Sequence, residues 1–408
     1  MIASLAGRFG AAMAACGPYG SSPRLAAGVS GGADSMALAL LARDWAAARG
    51  GSVIALIADH GLRAESGEEA ERAAAMLAAR GIEARIIRLG LERGPALQNR
   101  ARITRHEALA RAAREAGAAH LLLGHHLADQ AETALMRAAR GRRGLAAMAM
   151  AAARHDVILL RPLLGIAPEV LRAFLRERNC GWIEDPSNAD RRFERVALRN
   201  ALARGAGSAD PEAMRRAGGA RRAEMGAAAR FLARQAEIRP EGYALLRGDE
   251  MPPDALAALL RAIGGAVYPP RREAVERLAA SMRPATLGGV RIVPAGRLLR
   301  GGEGWLLARE PAACAPARPL AEGVVWDGRF RVLAAPAGAD RIGCLGASAA
   351  NFRRQTDLPA LILRTLPVLY DREHIVAIPH LGYGPCARLS FTPPEPVSPH
   401  PFVPHLFV

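Results

Sequence analysis

Along residues 24–165, short apolar runs alternate with longer stretches whose apolar positions recur at helical spacing. Leu25-Ala-Ala-Gly-Val29 reads as a buried strand, followed by a glycine-rich turn and a helix over Met36–Ala48. Val53–Ala58 is a second strand. Ser66-Gly-Glu-Glu69 has the form of a capping box, opening a helix that runs to Arg80 and stops at Gly81. Ala84–Leu89 is a third strand, Gln98–Glu115 an arginine-rich helix, His120–Leu123 a fourth strand and Ala128–Ala139 a further helix. Val157–Leu160 is a fifth strand, closed by Arg161-Pro162. Strand and helix in alternation predict an α/β domain: a parallel sheet with helices on both faces. Ligands of such sheets bind at the carboxyl ends of the strands.

After that the pattern changes. Residues 166–204 read as helical around the insert Glu184-Asp-Pro-Ser-Asn188, and 205–211 as a linker. An arginine-dotted helical segment follows, with a helix near Arg271–Met282 and short strands around Val290 and Trp305. Pro311–Pro319 marks another boundary, and short strands with Gly and Pro turns come after it. The expected organisation is an α/β domain over 1–204, a helical α+β domain over 212–310, a small β-rich domain over 320–392 and an extended, proline-rich tail over 393–408.

Composition narrows the function. Of the 408 residues, 55 are basic and 39 acidic, a net charge of +16, and every basic residue is arginine. That charge suits a polyanionic partner, nucleic acid first, although an alanine- and arginine-rich bias from GC-rich coding would give the same excess. The five cysteines form no C-x-x-C, which excludes a zinc ribbon and a disulfide framework and fits a reducing compartment. No long uncharged apolar run predicts a membrane span. Arg8 interrupts the apolar N-terminal stretch instead of preceding it, unlike a signal peptide. The expectation is a cytoplasmic protein without membrane contact; the sequence leaves the oligomeric state open, a homodimer included.

The chemistry centres on Ser30-Gly-Gly-Ala-Asp-Ser35, between a strand and a helix. Backbone N–H groups and the helix dipole favour an anion there. Gly31 and Gly32 let the backbone come close to a phosphate. Asp34 does not favour a bare phosphate, so it points to a bridging Mg²⁺. A Walker A loop is excluded because the chain has no lysine. Gly382-Tyr-Gly-Pro-Cys-Ala387 has dinucleotide-loop spacing, but Pro385 makes it a turn. Gly28-Val-Ser-Gly-Gly32 also fits the G-x-S-x-G nucleophile elbow, which would make Ser30 a hydrolase nucleophile but leaves Asp34 and Ser35 without a task.

The hexapeptide resembles the pyrophosphate loop of the PP-loop, or N-type, ATP pyrophosphatases, which include GMP and asparagine synthetases, tRNA thiolases and lysidine synthetases. That resemblance implies a Rossmann-like fold and an ATP cleaved at its α-phosphate. Further stretches are similar to the lysidine synthetases. Asp59-His60-Gly-Leu-Arg63 resembles their D-H-x-L-R, and Arg102, Arg105 and His106 their A-R-x-x-R-Y, with His106 in place of the aromatic. Gly124-His-His-Leu-Ala-Asp-Gln-Ala-Glu-Thr133 matches G-H-H-x-x-D-Q-x-E-T, and its His125, Asp129 and Glu132 are expected on one helix face. Arg140–Arg143 stand in a loop shorter and more basic than the family's R-G-S-G region. Asp185-Pro-Ser-Asn188 and Arg199 resemble the D-P-[ST]-N segment and its basic sequel, with Ala197 where another arginine is expected. Thiolases that rely on cysteine pairs fit less well, and Ile2 departs from the N-terminal cysteine of asparagine synthetases.

The resemblance implies a carbon–nitrogen ligase. Its substrates would be ATP, free L-lysine and the wobble cytidine of an isoleucine tRNA with a CAU anticodon. Ser30, Gly31, Gly32, Ala33, Asp34, Ser35, Asp59 and His60 would hold ATP, with Mg²⁺ at Asp34. Asp34, Arg63, His125 and Asp129 would act in catalysis, and Arg102, Arg105, Glu132, Arg137, Asp185, Asn188 and Arg199 would contact substrate. The alternatives are another tRNA-modifying PP-loop enzyme such as a thiolase, a serine hydrolase using Ser30, and an RNA-binding protein without ATP turnover.

Overall fold

The computed structural model describes residues 4–61, 65–90, 97–138, 146–154, 156–184, 211–248, 250–299, 303–398 and 403. The chain divides into two compact units, Met1–Ala223 with Pro401–Val408, and Glu224–His400.

In the first unit, β1 (Arg24–Val29), β2 (Ser52–Asp59), β3 (Glu83–Arg88), β4 (His120–Leu123), β5 (Ala151–Ala153) and β6 (Ile158–Leu160) form one sheet in the order β3-β2-β1-β4-β6-β5. All pairings are parallel except β5 with β6. The strands alternate faces with period two. Leu25, Ala27 and Val29 of β1 and Val53, Ala55 and Ile57 of β2 pack into a core with α1 (Leu5–Cys16), α2 (Ala33–Ala47), α3 (Ser66–Ala78) and α6 (Pro168–Glu177). Ala26, Ile54, Leu56, Leu121 and Leu123 face the other way, against Leu109, Ala112 and Ala113 of α4 (Leu97–Glu115). The helix α5 (Leu127–Ala138) follows β4.

Three sequence expectations need correction here. The sheet has an antiparallel edge strand, β5, beyond the parallel strands expected: Ala151-Ala-Ala153 carries neither β-branched residues nor alternation. The cap of α3 falls at Glu65, without a side-chain cap hydrogen bond, and Ser66 is already helical. His125 lies before α5 and therefore does not share a helix face with Asp129 and Glu132.

In the second unit, the antiparallel sheet β7-β8-β11-β10-β9 comprises Ala236–Arg239, Tyr243–Leu246, Trp305–Arg309, Val290–Pro294 and Ala285–Leu287 in that order. One face buries Leu256, Leu259, Leu260 and Ile263 of α8 (Pro253–Gly264) and Val275 and Leu278 of α9 (Arg272–Ala280). The α7 helix (Pro211–Gln235) contributes Ala228 and Leu232 to that core. On the other face, Tyr243, Leu245 and Leu306 share a core with Ile362, Leu363, Val368 and Ile378, so residues before and after the 311–319 stretch pack together. Two smaller antiparallel sheets complete the unit: β12-β15-β16-β17 (Arg318–Pro319, Arg341–Cys344, Pro367–Asp371, His374–Ala377) and β13-β14-β18 (Val325–Trp326, Phe330–Ala334, Arg388–Phe391). Gly382, at φ 64°, sits in a turn. Among the described residues, no helix is long and apolar enough to cross a membrane.

Candidate active site

The chain leaves β1 toward β2 on one side and returns to β4 on the other. The carboxyl ends of β1 and β4 therefore flank the point where strand order reverses, the place where open α/β sheets bind ligands. Register puts Gly28 opposite Leu123, so the turn at residue 30 and the turn at residue 124 leave the sheet side by side.

The first turn is held by its own serines and by Ile183. Gly31 takes φ +86°, and a Cβ there would lie 2.9 Å from Ile183 Cδ1. Ile183 N–H donates to the Gly31 carbonyl at 2.9 Å. Ser35 Oγ donates to Gly32 O at 2.9 Å, accepts from Ser30 N–H at 3.1 Å and stands 3.3 Å from Ser30 Oγ, which leaves the Ser30 hydroxyl as donor in that last contact. Gly32 is the N-cap of α2 and supplies no side-chain cap. The first-turn N–H groups of a helix have no intrahelical acceptor, and with the dipole they make an anion cradle. Because the Ser30 proton goes to Ser35, and among the described residues no histidine is hydrogen-bonded to Ser30 Oγ, the geometry does not favour a triad nucleophile.

Asp34 stands in the first turn of α2. Its Oδ1 is buried and without a hydrogen-bond partner, and its Oδ2 lies 3.4 Å from Nε2 of His126. A lone carboxylate oxygen left unsatisfied beside an anion cradle fits Mg²⁺, which takes one or two carboxylates and completes its shell with phosphates and water.

The second turn brings Asp129. Its Oδ2 accepts from His126 N–H at 3.0 Å, the back-reaching half of a capping box at the start of α5, and lies 3.6 Å from His126 Nδ1. His126 and Glu132 are buried, with 7% and 3% exposure; His125 is half-buried. Gln130, also buried, donates to Met148 O and accepts from Met148 N–H, both at 2.9 Å, and Arg137 donates to Ala147 O at 2.6 Å. Those three bonds tie Ala147 and Met148 to α5. Sequence reasoning assigned no role to His126 or Gln130; the doubled histidine was the available signal for the first.

At the end of β2, Asp59 Oδ1 accepts from Gly61 N–H at 2.9 Å, closing a tight turn. His60 beside it is half-buried. Burial first, then the positive charge of Arg105, push its pKa below the ordinary histidine value, with Asp59 opposing. The fold thus brings Ser30–Ser35 together with Asp129 through His126, and His60 near Arg105. Arg102 lies on α4 with its side chain outside the described set, and Arg63, Asp185, Asn188 and Arg199 lie outside the described residues.

A family model described as a PP-loop domain matches residues 8–205. The chain is similar to the tRNA(Ile)-lysidine synthase of Hyphomonas neptunium, 41% identical over 65% of this chain and 77% of that one. It is also similar to the tRNA(Ile)-lysidine synthase of Ruegeria pomeroyi, 36% identical over 88% of this chain and 89% of that one. Among solved structures, the U34-tRNA thiolase NcsA of Methanococcus maripaludis is 18% identical, with a TM-score of 0.42 over 52% of this chain and 77% of that one.

Proposed function

The chain belongs to the tRNA(Ile)-lysidine synthase family, and on that footing we propose that it joins free lysine to C2 of the wobble cytidine in the CAU anticodon of isoleucine tRNA, at the cost of one ATP. The observation that carries the reading is the meeting of an anion cradle, Ser30–Ser35, with two carboxylates, Asp34 and Asp129, at the β1/β4 switch point.

A carbonyl oxygen is a poor leaving group and AMP a good one. The cytosine C2 oxygen attacks the α-phosphorus of ATP, the bond to the β,γ-pyrophosphate breaks, and an adenylated cytidine results. The lysine amine then attacks C2, a C–N bond forms, the C–O bond to AMP breaks, and the nitrogen gives up a proton. The backbone of residues 30–35 binds the departing pyrophosphate, as the preorganised dipoles of a helix start. Mg²⁺ held by Asp34 would neutralise phosphate charge there. Asp59 and His60, at the end of the neighbouring strand, contribute to the nucleotide pocket. His125 and Arg63 stabilise negative charge on the phosphate, and Asp129 or Glu132 holds the lysine ammonium or takes its proton.

On the RNA side, Arg102 and Arg105, together with Asp185, Asn188 and Arg199, contact the anticodon loop, whose target base must leave its stack. Arg137 serves the same end from the last turn of α5, where it donates to Ala147 O. The exposed Arg215, Arg216, Arg222, Arg230 and Arg234 of α7 contact the tRNA backbone. We place the enzyme in the cytoplasm, where its tRNA substrate is. The test is pyrophosphate release from ATP with lysine and tRNA each added or omitted. Release that requires tRNA, labelled lysine entering RNA only with both present, and loss of both in Asp34→Ala support the reading; tRNA-dependent release without lysine incorporation moves the chain to another tRNA modification.

A further inference from the structure

The adenylating and amine-transferring halves of the proposed reaction need different groups at one phosphorus and one carbon. The separation between the carboxylate of the pyrophosphate side and the carboxylate of the amine side therefore has to survive departure of the first product. In the structure a single ring spans that separation. His126 follows Gly124, whose Cα is so close to α2 that a Cβ would lie 3.2 Å from Ser35 N and 3.3 Å from Asp34 C. This fixes where the residues after β4 can go. The His126 side chain, 9% exposed, lies between Asp34 and Asp129, with Nε2 3.4 Å from Asp34 Oδ2 and Nδ1 3.6 Å from Asp129 Oδ2. Its backbone N–H is bonded to the same Asp129 oxygen at 3.0 Å, which ties ring and carboxylate into one local unit.

We infer that His126 is a positioning residue: resting on the proposed reaction, it holds Asp34 of the phosphate loop and Asp129 of α5 at a fixed spacing, and so couples pyrophosphate departure to placement of the attacking amine. It touches neither substrate in this role. It acts through the two carboxylates, each partly open to solvent at 33% and 20% side-chain exposure, while the ring itself is enclosed. Such supporting groups, standing behind the residues that meet substrate, lower activity roughly 10- to 100-fold when removed, although no substrate contact goes with them.

The two ring nitrogens give a test that a merely structural residue would fail. A glutamine amide reaches toward the place of Nε2, and an asparagine amide only toward the place of Nδ1. With the full chain, ATP, lysine and tRNA, the KM for ATP is read from tRNA-dependent pyrophosphate release and the KM for lysine from incorporation of labelled lysine. His126→Ala is expected to raise both KM values and to lower kcat by roughly 10- to 100-fold. His126→Gln should restore the KM for ATP but not that for lysine, and His126→Asn the reverse. If His126→Ala does not fold, the opposite shifts in the Gln and Asn variants decide alone. Wild-type values of both KM and kcat in the variants would overturn the inference, as would a loss of melting temperature with both KM values unchanged. A wild-type protein without tRNA-dependent pyrophosphate release would instead sink the proposed function, before any variant is measured.

Discussion

Gly124→Ala is the sharpest test of the idea that the ends of β1 and β4 form one rigid site. The backbone at Gly124 is not in the left-handed region, so the cost of a methyl group there is steric alone. The added Cβ would meet Ser35 N at 3.2 Å and Asp34 C and Ser35 Cα at 3.3 Å. Carbon contacts prefer about 3.5–4.0 Å, so a few tenths of an ångström must be found. All three atoms are backbone, and α2 behind them is fully packed: Met36, Ala37 and Leu38 are at 0% exposure. The helix cannot retreat into its own core. The strain falls on the phosphate loop or on the turn of residues 124–126. Overpacking of this kind costs about 1–3 kcal/mol of stability. A site tolerates displacement of only about 0.5 Å, and misplacement by about 1 Å costs on the order of 100-fold. The expected result is therefore kcat/KM for tRNA-dependent pyrophosphate release lowered roughly tenfold, about 1.4 kcal/mol of barrier. Urea unfolding on the same preparation measures the stability change separately. A variant with wild-type kcat/KM and an unchanged midpoint would refute the view that α2 and the β4 end are locked together.

Other expectations follow from individual residues. Gly219 is the converse case: it is exposed inside α7, and a Cβ added there would meet nothing within 4 Å. Gly219→Ala should stabilise by about 0.5–1 kcal/mol, read as a higher melting temperature. Asp327 accepts from Arg309 at 2.9 and 3.1 Å and from Arg329 at 2.8 Å, and its side chain and that of Arg329 are at 1% and 0% exposure; Asp327→Asn leaves two buried guanidinium groups without their charge partner and should cost about 3–5 kcal/mol in chemical denaturation. His60 should titrate below 6.5 by NMR, and Arg105→Gln should raise its pKa, since the Arg105 charge is one of the two causes that lower it. A lowered folded pKa means that the unfolded chain binds the proton first as pH falls, so the His60 contribution favours folding above the unfolded pKa and is lost as pH drops below it; His60→Gln should flatten that slope. Affinity for tRNA should fall steeply between low and moderate salt, and Arg230→Ala with Arg234→Ala on α7 should reduce the slope of log K against log salt by about 1.8, or about 0.9 for each phosphate no longer neutralised; an unchanged slope would remove α7 from the RNA interface.

What the sequence revealed and what it hid have different physical origins. The strand β4 is read correctly over His120–Leu123 because three consecutive leucines sit between a helix stop and a glycine, and α2 is found because a glycine turn precedes an apolar helix. These are local signals. Strand β5 gives none, since three alanines favour a helix by propensity and only pairing with β6 makes them a strand. Arg329 reads as another surface arginine in a chain with an arginine excess, yet it is fully buried, because Asp327 two residues earlier turns back at φ 52° to meet it and Arg309 arrives from a different sheet. In the site, the loop Ser30–Ser35 was legible because the hydrogen bonds of its two serines are made within six residues of chain. His126 was not, for a geometric reason. Counting positions along α5 assigns a face to Asp129 and Glu132, but the count says nothing about residues before Leu127, where the helix begins. The meeting of His126 with Asp34 joins turns 92 residues apart in sequence and depends on β4 lying next to β1, while β2 and β3 lie on the other side. The motifs name both turns; strand order alone sets the distance between them. Function in this fold is thus encoded twice, locally in the residues that bind and non-locally in the ring that fixes their spacing, and only the first code can be read without the sheet.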